Sequence, residues 1–200
     1  MPRSRAATRS RILDGAYRLF RRRGFLRCGM DEIARAAGVT KRTLYAHFES
    51  KDTLMAAMLE AQHALALAAF QSFGARLGGS PEAILAGMFR DLAAWADRPR
   101  FAGSGFTRVV VELADLPGHP ARTIARRHKA RLERSLAELL AQSGLPRADE
   151  LARAALILSE GAIALMLVHR DRAYAAAAGE AALHLLALHR AAAPQPAAPQ

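Results

Sequence analysis

Apolar residues recur at helical spacing through most of the chain, and no alternation of the kind a strand requires persists. From Arg9 to Arg23, Ile12, Ala16, Leu19 and Phe20 share one face, and Gly24 is placed to cap the end. Ile33, Ala34 and Ala37 mark one side of a short helix over Met30–Ala37. Gly38-Val39 makes a turn, and Thr40 is an N-cap for a second short helix over Lys41–His47. Ser50 caps a long helix through Leu54, Met58, Leu65 and Phe70 to Leu77, interrupted by Gly78-Gly79-Ser80-Pro81. Ser80, with Pro81 at the first helical position, opens the next helix, to Asp97. Further helices are expected over Phe106–Leu113, Pro120–Ser143, Ala148–Arg170 and Arg172–Ala192, with a disordered Pro-rich tail at 193–200. The pattern predicts an all-α chain of about nine helices.

The last two helices carry more than one apolar row. Leu151, Ala155, Leu158, Ala162 and Leu165 form one row, and Leu156, Ile163 and Leu167 another. A surface helix needs a single stripe. Two rows predict burial against the helix's own core and against a second copy of the chain. The final helix repeats the pattern, with Ala177, Ala178 and Ala181 permitting close approach.

Composition agrees with the pattern. Hydrophobic residues are 52% of the chain and aromatics 6%, and Ala, Leu and Arg, the strongest helix formers, dominate. The single cysteine, Cys28, excludes a disulfide framework and a Cys-based zinc site and fits a reducing compartment. The basic N-terminus lacks a following apolar segment, and the apolar run Gly161–Val168 is too short to span a bilayer. A cytoplasmic protein without membrane association is expected.

Charge changes the picture more. The formal net charge is +11, and residues 1–51 hold 13 Lys and Arg against four acidic residues. The remainder is near balance, with 16 against 14. A basic N-terminal quarter on a near-neutral body points to a polyanion-binding module. Arg3, Arg5 and Arg9 form either a DNA-contacting arm or a solubilising tail.

Residues 29–51 carry the chemistry. Two short helices joined by a glycine turn make a helix-turn-helix. Ala34 is small where the second helix crosses, Gly38 permits a left-handed turn, and Ile33, Val39 and Leu44 seal the angle. Lys41, Arg42, Thr43, Tyr45 and His47 then face outward, all able to hydrogen-bond DNA.

Asp31-Glu32-Ile33-Ala34, Ala37-Gly38-Val39, Thr43-Leu44-Tyr45-Ala46-His47-Phe48 and Ser50-Lys51 resemble the DNA-binding domain of the tetracycline-repressor (TetR/AcrR-like) family. Ile12, Leu19-Phe20 and Gly24-Phe25 look like that family's first helix and its exit. The resemblance covers residues 9–55; Gly29 departs from it, standing where Thr or Ser is usual, so a side-chain cap or phosphate contact there is absent.

The resemblance implies a DNA-binding domain at 1–51 with a basic arm, and a regulatory and dimerisation domain at 52–192. It implies a homodimeric regulator that binds a double-stranded operator and is released by a small-molecule effector. In the family, the helix that begins at Asp52 couples effector binding to the spacing of the two recognition helices. Lys41 and Arg42 would reach base edges, and Thr43 a base or a thymine methyl. Tyr45, His47 and Lys51 would bind phosphate, and Thr40 completes the DNA-binding set. An alternative is an architectural binder without sequence preference.

Met58, Met88, Phe89, Trp95, Phe106 and Met166 are candidates to line an apolar effector pocket, with Glu112, His128 and His169 as polar groups in it. No metal or cofactor is expected, since the seven histidines form no metal-ligand spacing. An enzyme is not expected either: no Gly-rich phosphate loop is present, and Gly103-Ser104-Gly105 lacks the strand of a nucleophile elbow. Cys28 beside Arg27 leaves an activated, redox-sensing thiol as a further possibility.

Overall fold

A computed structural model describes residues 4–77, 79–99 and 101–191. Among them the chain forms nine α-helices and no strand. These are α1 (Arg5–Arg23), α2 (Met30–Ala37), α3 (Lys41–Tyr45), α4 (Lys51–Leu77) and α5 (Pro81–Ala96), then α6 (Gly105–Glu112), α7 (Pro120–Gln142), α8 (Ala148–His169) and α9 (Ala173–Ala191).

The first helix begins earlier than its apolar pattern suggests. Ser4 accepts a hydrogen bond from the Ala7 N–H at 3.1 Å and caps it, so Arg5 and Arg9 are helical and not part of a flexible arm. Arg9 lies over the Phe48 ring, 5.1 Å from its centroid. Arg3 and the expected disordered tail lie outside the described residues. α3 ends at Tyr45, with Ala46 and His47 in a turn.

Among the described residues, two hydrophobic cores lie in two compact units. One unit gathers the chain through Ala68 with Ser104–Lys129; the other holds Ala69–Gly103 with the chain from Ala130. The first core joins Ile12, Phe20, Phe25, Ile33, Leu44, Leu54 and Met58 to Val109 of α6 and Ile124 of α7. The second joins Ile84 and Phe89 of α5 to Leu140, Ala155, Ala182 and Leu186.

By length and composition, α4 and α8 could each cross a bilayer. Each instead buries residues in the core of a unit, Leu54, Met55, Met58 and Leu59 from α4 and Leu151, Ala155, Ala162 and Met166 from α8. A core helix of a globular domain has this same composition.

α8 shows which row faces outward. Leu151, Ala155 and Ala162 are buried as their row predicts, but Leu165 is exposed. The second expected row is only partly exposed, with Leu156 and Ile163 half-buried. The fully outward face is Ile157, Gly161, Ala164, Leu165 and Val168, with Ile157 67% and Val168 71% exposed. The last helix presents Ala177, Leu185 and Leu188 in the same manner.

Close approach of α1 and α2 fixes the N-terminal packing. A Cβ on Gly15 would lie 2.8 Å from Ala37 Cα and 2.9 Å from Ala37 N, both backbone atoms that cannot rotate away. Overpacking of this kind costs roughly 1–3 kcal/mol, more than the up to about 1 kcal/mol that alanine gains over glycine within a helix. Gly15→Ala should therefore lower the midpoint of urea unfolding despite its better helix propensity. An unchanged or raised midpoint would show that α2 moves aside without cost.

Candidate nucleic-acid interface

The geometry of α2 and α3 is set locally. Gly38 takes the left-handed conformation at φ 62°, and the Val39 N–H reaches back to the Ala34 carbonyl at 3.0 Å, which ends α2 abruptly. Thr40 then accepts from the Thr43 N–H at 3.1 Å and starts α3, and the two threonine hydroxyls lie 2.8 Å apart. Gly29 makes no side-chain cap, as expected of glycine. Glu32 supplies the compensating half, accepting from the Gly29 N–H at 3.2 Å. That bond, reinforced by Arg23, holds the Glu32 carboxyl below its ordinary range.

Within the five residues of α3, only Leu44 is buried. Thr40, Lys41, Arg42 and Tyr45 are exposed, and Thr43 and His47 are half-buried beside them. The structure thus brings these six DNA-binding candidates onto one short surface. Lys41 is not idle there: its ammonium pairs with Asp31 of α2 at 2.9 Å, and the hydrogen bond raises its pKa. Both partners are largely exposed, so the pair itself contributes little stability. Among the described residues, Arg42 has no side-chain partner. Lys51 begins α4 and donates to the Leu26 carbonyl at 3.1 Å, so its charge is tied to the turn after α1. Ser50 and Thr53 cap the same helix reciprocally, each accepting from the other's N–H at 3.1 Å.

That turn is held by residues distant in sequence. Glu112 of α6 accepts from the Phe25 N–H at 2.6 Å and the Leu26 N–H at 3.0 Å. Arg108 Nε donates to the same carboxylate at 2.7 Å, and its other arm donates to the Arg21 carbonyl at 3.0 Å. Sequence reasoning nominated Glu112 as a pocket group and missed Arg108 altogether. Partners 86 and 87 residues apart leave no local signal.

The remaining pocket candidates divide between the units. Met58, Phe106, Glu112 and His128 belong to the first; Met88, Phe89, Trp95, Met166 and His169 belong to the second. In the first, Phe106 stacks on His128 with ring centroids 3.6 Å apart, and His128 Nδ1 lies 3.0 Å from His63 Nδ1. Burial, aided by the Lys129 and His63 charges, pushes the His128 imidazole down to about 3. In the second, Trp95 packs edge-on to Phe101, Met166 is buried, and the exposed His169 stacks on Tyr174. Cys28 is buried with its sulfur 3.1 Å from the Gly24 carbonyl, and burial raises its pKa, the opposite of an activated thiol.

A short helix that buries one leucine and presents hydrogen-bonding side chains elsewhere, held by a glycine turn, defines a helix-turn-helix DNA-binding protein. Residues 12–58 match the family of bacterial regulatory proteins described as the tetR family. An HTH-type transcriptional regulator of Mycobacterium tuberculosis is 51% identical over 47 residues, 24% of this chain and 23% of that protein. The match thus spans about a quarter of that curated relative. Over nearly the whole chain, a tetR-type regulator of Streptomyces avermitilis is 31% identical, with TM-score 0.72 and coverage of 88% of this chain and 97% of that one. A TetR-family regulator of Streptomyces coelicolor is 27% identical, with TM-score 0.81 and coverage of 91% and 95%. The chain belongs to the TetR family of transcriptional regulators.

Two predictions concern groups in the first unit. Glu112→Ala strands the part-buried Phe25 donor, a loss of about 1–3 kcal/mol, while water can replace the carboxylate at the exposed Leu26 N–H. Thermal unfolding should show the drop, and Glu112→Gln, which keeps one acceptor oxygen, should recover part of it. Equal stability of all three proteins would mean that water replaces the carboxylate freely. His128 is the second case. Its folded pKa of about 3 lies below the ordinary 6.5, so only the unfolded chain binds this proton between those values. Its contribution is complete above pH 6.5 and is lost as pH falls toward 3, with a slope of about 1.4 kcal/mol per pH unit. Denaturant unfolding between pH 6.5 and 5 should be steeper in pH for wild type than for His128→Gln. Parallel curves would refute the assignment.

Proposed function

We propose that this TetR-family regulator is a homodimeric repressor that docks two copies of α3 into successive major grooves of an operator. A small, partly apolar effector then relieves repression. One observation carries the DNA-binding roles: every side chain of α3 except Leu44 is a hydrogen-bonding group at the surface. Arg42, without an internal partner, is free to pair with guanine, and Lys41 can exchange Asp31 for a base edge. Thr43 reads a base or a thymine methyl, while Thr40, Tyr45, His47 and Lys51 hold phosphate. The functional division falls at residue 51, with regulation and dimerisation in 52–192, and the protein works in the cytoplasm.

The outward apolar faces of α8 and α9 support the dimer. Ile157, Leu165, Val168 and Leu188 lie exposed on one helix pair, together with small residues that admit close helix contact. Two copies are required because half-sites lie one helical turn apart, about 34–36 Å, and a single α3 covers one.

Fluorescence anisotropy with the duplex upstream of the protein's own gene, against a shuffled duplex at two salt concentrations, tests the reading. The native duplex should be preferred by about 10³-fold or more. Lys41→Ala with Arg42→Ala should abolish that preference, whereas Lys51→Ala should weaken both duplexes alike and flatten the salt dependence. Equal, salt-sensitive affinity for this duplex, its shuffled form and a pool of genomic fragments would favour an architectural binder instead.

A further inference from the structure

Where α5 ends and α8 turns into α9, an open cleft of about 560 Å³ is lined by both charged and apolar residues. That volume lies within the roughly 300–1,000 Å³ of small-molecule sites. Phe101, Met166 and Leu167 supply its apolar lining. Phe101 is held by its N–H, which donates to the Arg98 carbonyl at 3.1 Å, and by Trp95, whose ring stands edge-on 4.9 Å away.

The charges of the cleft are unbalanced. Asp97 is taken by Arg172 at 2.7 Å, and Asp171 accepts from the Ala173 N–H at 2.8 Å. Asp171 keeps its charge, so the lining holds three arginines, Arg98, Arg170 and Arg172, against two carboxylates. Arg98 and Arg170 also line the cleft, and neither guanidinium meets a carboxylate among the described residues. Arg170 further occupies a left-handed position, φ 54°, as the C-cap of α8, where glycine or asparagine sits at least cost. Among the described residues the other left-handed arginine, Arg147, is ion-paired with Glu150, whereas Arg170 is in no ion pair. Two unpaired guanidiniums beside an apolar lining match a molecule with an anionic head and an apolar body.

We propose that this cleft binds an amphiphilic carboxylate, its head on Arg98 and Arg170 and its chain against Phe101, Met166 and Leu167. The proposal rests on the effector-relieved reading and assigns the effector's chemical class and its seat. Trp95 is the chain's single tryptophan and packs on Phe101, so its fluorescence reports the cleft through that ring.

The test is titration of the full-length protein with decanoate, with decanol and decyltrimethylammonium as controls, followed by Trp95 fluorescence and calorimetry. Decanoate should bind at least about 10-fold more tightly than decanol, the scale of one charge-assisted hydrogen bond. Decyltrimethylammonium should bind no better than decanol. Arg98→Gln with Arg170→Asn, which keeps a residue tolerant of the left-handed position, should lose that advantage while retaining the wild-type circular dichroism and decanol affinity. Arg98→Gln alone serves if the double variant unfolds. Equal affinities for decanoate and decanol, an unchanged variant, or no saturable signal would each overturn the proposal. Anisotropy on the upstream duplex separates the two readings. Decanoate that binds the cleft without releasing DNA leaves the cleft standing and overturns effector relief by this class. Release that is equal in wild type and the double variant places the effector elsewhere and overturns the cleft.

Discussion

The carboxylate of Glu112 meets a requirement that the chain creates where it leaves α1. At Gly24 the backbone departs from helical geometry, and the next two residues, Phe25 and Leu26, have no helical partners for their N–H groups. Phe25 must nevertheless enter the core, where it stacks on Phe20 with centroids 5.0 Å apart. A half-buried turn with two unsatisfied donors would be costly. Glu112 accepts both, Arg108 steadies the carboxylate and ties off the Arg21 carbonyl, and Lys51 supplies the donor for the Leu26 carbonyl. The path from α1 into α2, and with it the seating of α3, rests on charged groups from α6 and α4.

This dependence explains why the helix-turn-helix segment is not a closed structural unit. Its core includes Val109, Leu113, Ala121 and Ile124, from elements that follow it by some 60 residues or more in the chain. The buried His128 and its stacked neighbour Phe106 belong to the same unit. A neutral imidazole there satisfies His63 without bringing a charge into the core, which is the condition that burial enforces through the lowered pKa.

What could be read from the amino-acid sequence is what local rules determine. Gly38, Thr40, Ile33 and Leu44 act within a few residues of one another, so the turn and the short helix after it were legible. The start of α1 was not, because Ser4 stands among arginines whose charge hid a cap. The outward row of α8 was not legible for another reason. Where leucine, alanine and isoleucine occur on all sides, hydropathy does not separate Leu156-Ile163-Leu167 from Ile157-Ala164-Val168; only packing against α9 and α5 does. Glu112 was noticed for its charge but not for its partners, since a hydrogen bond across 86 residues leaves no periodicity. The pocket candidates fall in both units because Met and aromatic residues mark core in each alike.

Chain connectivity gives these separate features a common direction. Phe101 of the cleft precedes Ser104, the N-cap of α6, by three residues, and α6 ends at Glu112. Between them the backbone is short and begins at Ser104 with a side-chain cap on the Thr107 N–H at 3.3 Å. From that cap α6 runs for eight residues, Gly105–Glu112. Its far end carries the carboxylate on which the α1–α2 turn depends. The Phe25 and Leu26 N–H groups both donate to one of its oxygens, Oε2. Two backbone donors sharing one oxygen lose their partner at once, so the turn responds as a unit.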